Sequence, residues 1–231
     1  MHPEDRPIHF STELFYPPFQ VKIPVLQKLY YELSQTPGAS YQSADFAMPG
    51  PPRFFSRRSG NTQSIVLFLP DRLVVVEEWV DIPLESFLKK VLEVARRTFD
   101  AFELTAFVAQ TVTLRTVFSL SDFQDARAFM LEQICGLTEE KLSSFGRPIG
   151  VGGMRFVFPP TPEDPEELHL LVESFRHNVH ELFVEVQAFL ANVEINGKSL
   201  ERIVDNIRRV RAFIDGRVRS FLEPYDHKSA Q

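Results

Sequence analysis

Residues 53–79 read RFFSRRSGNTQSIVLFLPDRLVVVEEW. Three short runs rich in β-branched and aromatic residues are separated by SGN and PD, the turn chemistry that closes hairpins, so the stretch reads as an antiparallel meander. Residues 80–102, VDIPLESFLKKVLEVARRTFDAF, follow at once. Here Leu84, Phe87, Leu88, Val91, Leu92, Ala95, Phe99 and Phe102 recur at helical spacing, which predicts a long amphipathic helix entered through Asp81 and Pro83. A meander with one apolar face, beside a helix with one apolar stripe, points to an α+β fold in which the helix covers the sheet.

Toward the N-terminus, Ile8, Phe10, Thr12 and Leu14 alternate as one side of a first strand. A short helix follows with Pro24 in its first turn and the stripe Leu26, Leu29, Tyr30, Leu33. YQSADFAM (41–48) reads as a strand before the proline-rich loop at 49–52. Toward the C-terminus, FVAQTVTLRTVFSL (107–120) places Val108, Val112, Leu114 and Phe118 on one face and Thr111, Thr113 and Arg115 on the other. Its length suits a central strand. Ser121 with Gln124 has the spacing of a capping box opening the helix DFQDARAFMLEQIC, which Gly136 ends. TEEKLSSF is a short helix, PIGVGGMRFVF a strand and PPTPEDPEE a surface loop. LHLLVESFR and VHELFVEVQAFLANVEI then form a hairpin that turns at His177 and Asn178. The closing helix carries the stripe Leu200, Ile203, Val204, Ile207, Val210, Ile214, Val218 and Phe221.

The order strand, helix, several antiparallel strands, long helix thus occurs twice, over about 1–104 and 105–224, within a single domain spanning 1–231. Residues 225–231 read as a flexible tail. The expected architecture is a curved antiparallel sheet built from two pseudo-repeats, with the helices packed on one face and the other face open for binding.

Composition sets further bounds. The 231 residues include 22 Phe against 5 Tyr and 1 Trp, so rings without a polar handle fill much of the core. A single cysteine, Cys135, excludes an intramolecular disulfide and any multi-cysteine metal site, and fits a reducing compartment. MHPEDRPIHF lacks the basic and then apolar character of a signal peptide, and no apolar run approaches the roughly 20 residues of a membrane span. The expectation is a cytoplasmic protein without a membrane partner. A net charge of −6 argues against general nucleic-acid binding, which rests on Lys and Arg displacing counterions.

The element order, with VVVEEWVDIPLESF before the first long helix, VTLRTVFSL in the central strand and LFVEVQAFL before the last helix, resembles a sporadically distributed bacterial family of uncharacterised proteins. The likeness covers nearly the whole chain. In that family a Trp-containing turn precedes the first long helix and a central strand carries Leu-Arg-Tyr-x-Asn. Trp79, Leu114 and Arg115 match these features, whereas Thr116 and Phe118 stand in place of the tyrosine and asparagine, so no role of those two carries over. The resemblance implies an accessory gene of the defence or toxin–antitoxin kind. In fold, the duplicated pattern is similar to the saddle of TATA-box-binding proteins or to helix-grip folds.

No stretch identifies a reaction. His177 and His180 stand three apart on what reads as a hairpin, and HELFV has Val184 where a zincin helix needs its second histidine, so no metal ligands are assigned. GVGG (150–153) runs into a strand and not a helix, which makes it an edge bend in place of a phosphate loop. Cys135, late in an amphipathic helix with no adjacent base, reads as a small buried hydrophobe. No catalytic residue, metal or cofactor is assigned, and the balance is against an enzyme.

Candidate binding residues remain. Arg115 with Thr111 and Thr113 faces away from Leu114, so the arginine either meets a carboxylate or lines a concave surface. Trp79 closes the meander. The last helix carries Arg208, Arg209 and Arg211, while residues 163–194 are acidic; pairing between the two is favoured over an external acidic partner. The leading functional expectation is a non-enzymatic protein that binds a protein partner through the open sheet face or the basic helix. The alternative is a small apolar or anionic ligand held between sheet and long helices with Arg115 as anchor, and the third is nucleic acid on the saddle.

Overall fold

A computed structural model of the chain describes residue 1 and residues 5–47 and 49–226. The expectations for residues 2–4, for Met48 at the end of YQSADFAM and for the tail from residue 227 lie outside that range. Among the described residues nine strands form: β1 (Asp5–Phe15), β2 (Ser43–Asp45), β3 (Arg53–Arg57), β4 (Gln63–Phe68), β5 (Arg72–Glu78), β6 (Ala109–Ser119), β7 (Gly153–Phe158), β8 (Glu167–Ser174) and β9 (Glu181–Leu190). They join one open antiparallel sheet in the order β2-β3-β4-β5-β1-β6-β9-β8-β7. The first strand of each half lies at the centre, β1 against β6. The last strand of each meander, β5 or β9, flanks it, and the earlier ones follow outward. This is the doubled, curved arrangement that the order of elements predicts.

The helices α1 (Ile23–Ser34), α2 (Leu84–Ala101) and α5 (Glu201–Phe213) pack on one face. Alternation along the strands fixes which face. Phe10, Leu14, Val75, Phe68, Val112, Leu114, Phe118, Val184 and Val186 are buried toward the helices, where Phe87, Leu88, Val91, Val94, Ile203, Ile207 and Val210 meet them. Burial of each large side chain contributes roughly 1.5–3 kcal/mol, and Phe10 against Phe87, with ring centroids 5.4 Å apart, ties β1 to α2. The space between sheet and long helices, where the alternative reading seats a ligand, is occupied by these side chains.

Local chemistry departs from expectation in places. Asp81 does not cap α2; the N-cap is Pro83, and Asp81 pairs with Arg58 at 2.7 Å. Ser121 does not cap the following helix, which begins only at Ala126; its N–H donates to the Asp226 carboxylate at 2.8 Å. Asp125 does so instead, accepting from the N–H groups of Arg127 and Ala128 at the start of α3 (Ala126–Ala128). α3 runs into a π-helical turn, Phe129–Ile134, in which Cys135 N–H reaches back to Met130 O at 3.0 Å. That wider turn rotates Cys135 off the apolar stripe. The thiol is exposed, which corrects its reading as a buried hydrophobe. Gly136, with φ of 64°, ends the segment as expected.

α4 (Glu139–Ser143) is capped by Thr138, and α5 continues through a second π turn, Ile214–Val218, into α6 (Arg219–Leu222). Gly153 opens the edge strand β7 where a Cβ would stand 2.7 Å from Val172 O, so only glycine allows this approach. Among the described residues no helix is long and apolar enough to cross a membrane.

Candidate functional site

Among the described residues no helix packs on the sheet face opposite α1, α2 and α5, and its register lines up residues from all nine strands. One row reads Ser43, Phe55, Ile65, Val76, Ser11, Thr113, Gln187, His169, Val157. The next, one pair further along, reads Arg57, Gln63, Glu78, His9, Arg115, Glu185, Leu171, Arg155. Its middle four members form a hydrogen-bonded pair and an ion pair side by side. His9 Nδ1 lies 2.9 Å from Glu78 Oε1, and Arg115 Nε donates to Glu185 Oε2 at 2.6 Å. An ionised carboxylate only accepts, so Nδ1 carries the proton toward Glu78, and Nε2 faces Ser11 Oγ at 2.8 Å. The His9 hydrogen bond, and the more distant Arg115 charge, hold the Glu78 carboxyl below its ordinary range against the opposing effect of burial.

Both halves of the chain also meet at an aromatic rim beside this row. Trp79 ends β5 with φ of 50°, a left-handed conformation that costs a non-glycine residue about 1–3 kcal/mol. Its N–H donates to Ile8 O at 2.8 Å and its carbonyl accepts from Thr62 Oγ1 at 2.9 Å, so the surrounding backbone holds it there. The Trp79 ring stands edge-on to His177 at 6.4 Å, His177 to Phe175 at 5.2 Å, and Phe175 stacks on Phe183 at 6.3 Å. Phe183 pairs with Val117 on β6, two residues from Arg115. Between Trp79 and the β3–β4 turn a cleft of about 360 Å³ is lined by Arg57, Thr62, Gln63 and Glu78.

Of the residues singled out in the sequence, the structure gathers Thr111, Thr113, Arg115 and Trp79 on or beside this face, with Thr111 and Thr113 buried in it and Arg115 and Trp79 partly exposed. Arg115 has met its carboxylate, Glu185, the first of its two readings, and its side chain remains 38% exposed. Thr113 Oγ1 lies 3.4 Å from Gln187 Nε2. Thr111 contributes its carbonyl to Thr12 Oγ1. Arg208, Arg209 and Arg211 lie on the helix side and do not join them. Arg208 bonds Glu85 and Asp205, Arg209 bonds Glu166 and Asn206, and Arg211 grips Asp5 bidentately at 2.7 and 2.9 Å. Of these three, Arg209 pairs with the acidic stretch as expected, through Glu166, while Arg202 reaches the Glu194 carbonyl.

His9 and Glu78 escaped the sequence reading, and Glu185 figured in it only within the acidic stretch 163–194. Each alternates away from an apolar neighbour, a signal that marks the face and not the row; the row exists only through the pairing of β5, β1, β6 and β9. His177 serves the rim by ring contact, and among the described residues no group of three or more His, Cys, Asp or Glu is placed to hold a metal. No family model matches the sequence, and no curated protein matches it.

Proposed function

We propose that this chain is a non-enzymatic binding protein whose partner is another protein, docked on the open sheet face around Arg115. The observation that carries this reading is the uncovered centre of the sheet. There charges are already paired within the plane, valines and phenylalanines stand half-exposed around them, and Trp79 is kept at a strained backbone angle beside them. Locally neutralised polar groups with an aromatic edge suit a protein surface better than a phosphate backbone, since Glu13, Glu78, Glu173 and Glu185 interrupt the arginines of the same face. The arginines of α5 support a partner less well, because Arg208, Arg209 and Arg211 each have a carboxylate within the chain. An accessory role of the kind implied by the bacterial family resemblance is compatible with such a surface.

The test compares proteins captured from an extract of the source organism by the wild type, Arg115→Glu, Trp79→Gly and the helix-side control Arg209→Glu. A partner held by wild type and control but weakened at least ~10-fold by both open-face variants is expected, the loss typical of an interface anchor. Equal retention by all four chains, or no captured protein, overturns the reading.

A further inference from the structure

The two edges of the sheet are built differently. β2 is three residues long and ends in Asp45, which pairs with Arg53, a short and charged edge of the kind that resists further pairing. β7 is twice as long and reads GMRFVF, with Phe156, Val157 and Phe158 all exposed. Its one charge, Arg155, is turned back onto His169 Nδ1 at 3.1 Å. On the helix side, Phe156, Phe158, Phe213, Val218 and Phe221 line an almost wholly apolar groove of about 430 Å³ that opens along this edge. Phe156 stands edge-on to Phe221 at 6.1 Å and Phe158 to Phe213 at 5.7 Å.

We propose that β7 is the dimerisation strand of the protein, pairing antiparallel with β7 of a second copy across a two-fold axis through Phe156. Three features select this occupant. Ser174 N–H donates to Gly152 O at 2.9 Å, which marks 152 and 174 as a hydrogen-bonded pair; alternation then turns the N–H and C=O of Arg155 and Val157 away from β8, free to meet another strand. A continuous sheet with helices on the same side requires residues of like facing to pair, so the axis passes through a residue. Through Arg155 it sets two guanidinium groups opposite each other, and through Val157 it sets Arg155 opposite Pro159, which has no N–H. Through Phe156 it matches Arg155 with Val157 of the second copy, twice over, and brings the two apolar grooves together. Charge agrees: the chain entering β7 carries Arg147 and the chain leaving it carries Glu163 and Asp164, and antiparallel pairing sets the entering end of one copy beside the leaving end of the other.

Sedimentation of the full chain at up to ~100 µM tests this, a concentration at which any specific dimer of useful affinity is populated. The wild type is expected to be dimeric. Val157→Pro deletes an outward N–H without touching the β8 ladder and is expected to weaken the dimer at least ~10-fold, with the far-UV circular dichroism unchanged. Phe156→Cys in a Cys135→Ser background provides an arm that does not depend on the proline variant folding. Residues on the axis form a non-hydrogen-bonded pair with Cα atoms about 4.5 Å apart, within reach of a disulfide, so mild oxidation is expected to give a covalent dimer. A monomeric wild type overturns the proposal, whether or not a peptide or another protein occupies the groove. So does a Phe156→Cys chain that stays uncrosslinked while sedimenting as a dimer.

Discussion

Glu77 is wholly buried beneath α2, and its environment shows what one misplaced charge would cost. Lys90 Nζ lies 2.5 Å from Glu77 Oε1 and 2.8 Å from Ser64 Oγ, while Arg58 approaches Glu77 Oε2 at 2.8 Å and the Tyr41 ring covers Lys90 at 5.7 Å. A buried pair of this kind adds little net stability over apolar residues of the same volume, but losing one partner strands the other. Lys90→Met is therefore expected to destabilise the fold by about 3 kcal/mol in urea unfolding, since Arg58 still neutralises part of the Glu77 charge. Adding Glu77→Leu to it should restore stability, and a double variant weaker than the single one would sink this account. Trp79 presents the opposite case. Its backbone is strained although the residue stays 39% exposed at the rim of the open face.

The start of α3, before its π turn, is held by a single side chain. Asp125 accepts from two backbone N–H groups and also bonds Arg127, and Asp125→Ala is expected to cost about 1 kcal/mol, read as a lowered unfolding midpoint. Ser121→Ala, the substitution suggested by the capping-box spacing, should leave the midpoint unchanged, because that side chain caps nothing. This contrast shows where the sequence was readable. The meander β3–β5, the stripe of α2 and the two faces of β6 follow from periodicities within one segment, and all are present in the structure. The Asp226 carboxylate that takes the Ser121 N–H lies 105 residues away, and the π turn that exposes Cys135 alters the very period on which its burial was inferred. Likewise Arg115 was visible as a face-sharing arginine, whereas its row mates His9, Glu78 and Glu185 come from strands whose alignment no local pattern encodes.

At the scale of the whole molecule, depressed carboxyl groups tie distant parts of the sheet together. Glu78 is held down by His9. Asp5 is lowered although burial alone would raise it, because hydrogen bonds from Arg211 and Thr116 outweigh that effect. For such groups the unfolded chain takes up protons at higher pH than the folded one. Their contribution is therefore full above the unfolded carboxylate range, near pH 4, and is lost as pH falls through the lower folded values. Urea unfolding at pH 7, 4 and 3 is expected to show a decline that sets in near pH 4 and deepens at pH 3, and Asp5→Asn to flatten part of it; a stability independent of pH below 5 would contradict the assignment. The seam between the halves carries a consequence for synthesis. β1 is made first, yet its neighbours are β5, completed at residue 78, and β6, completed at residue 119. A chain emerging from the ribosome therefore holds its future central strand, with Phe10 and Leu14, open on one flank until residue 119 has been made, and only then can β1 and β6 close on each other.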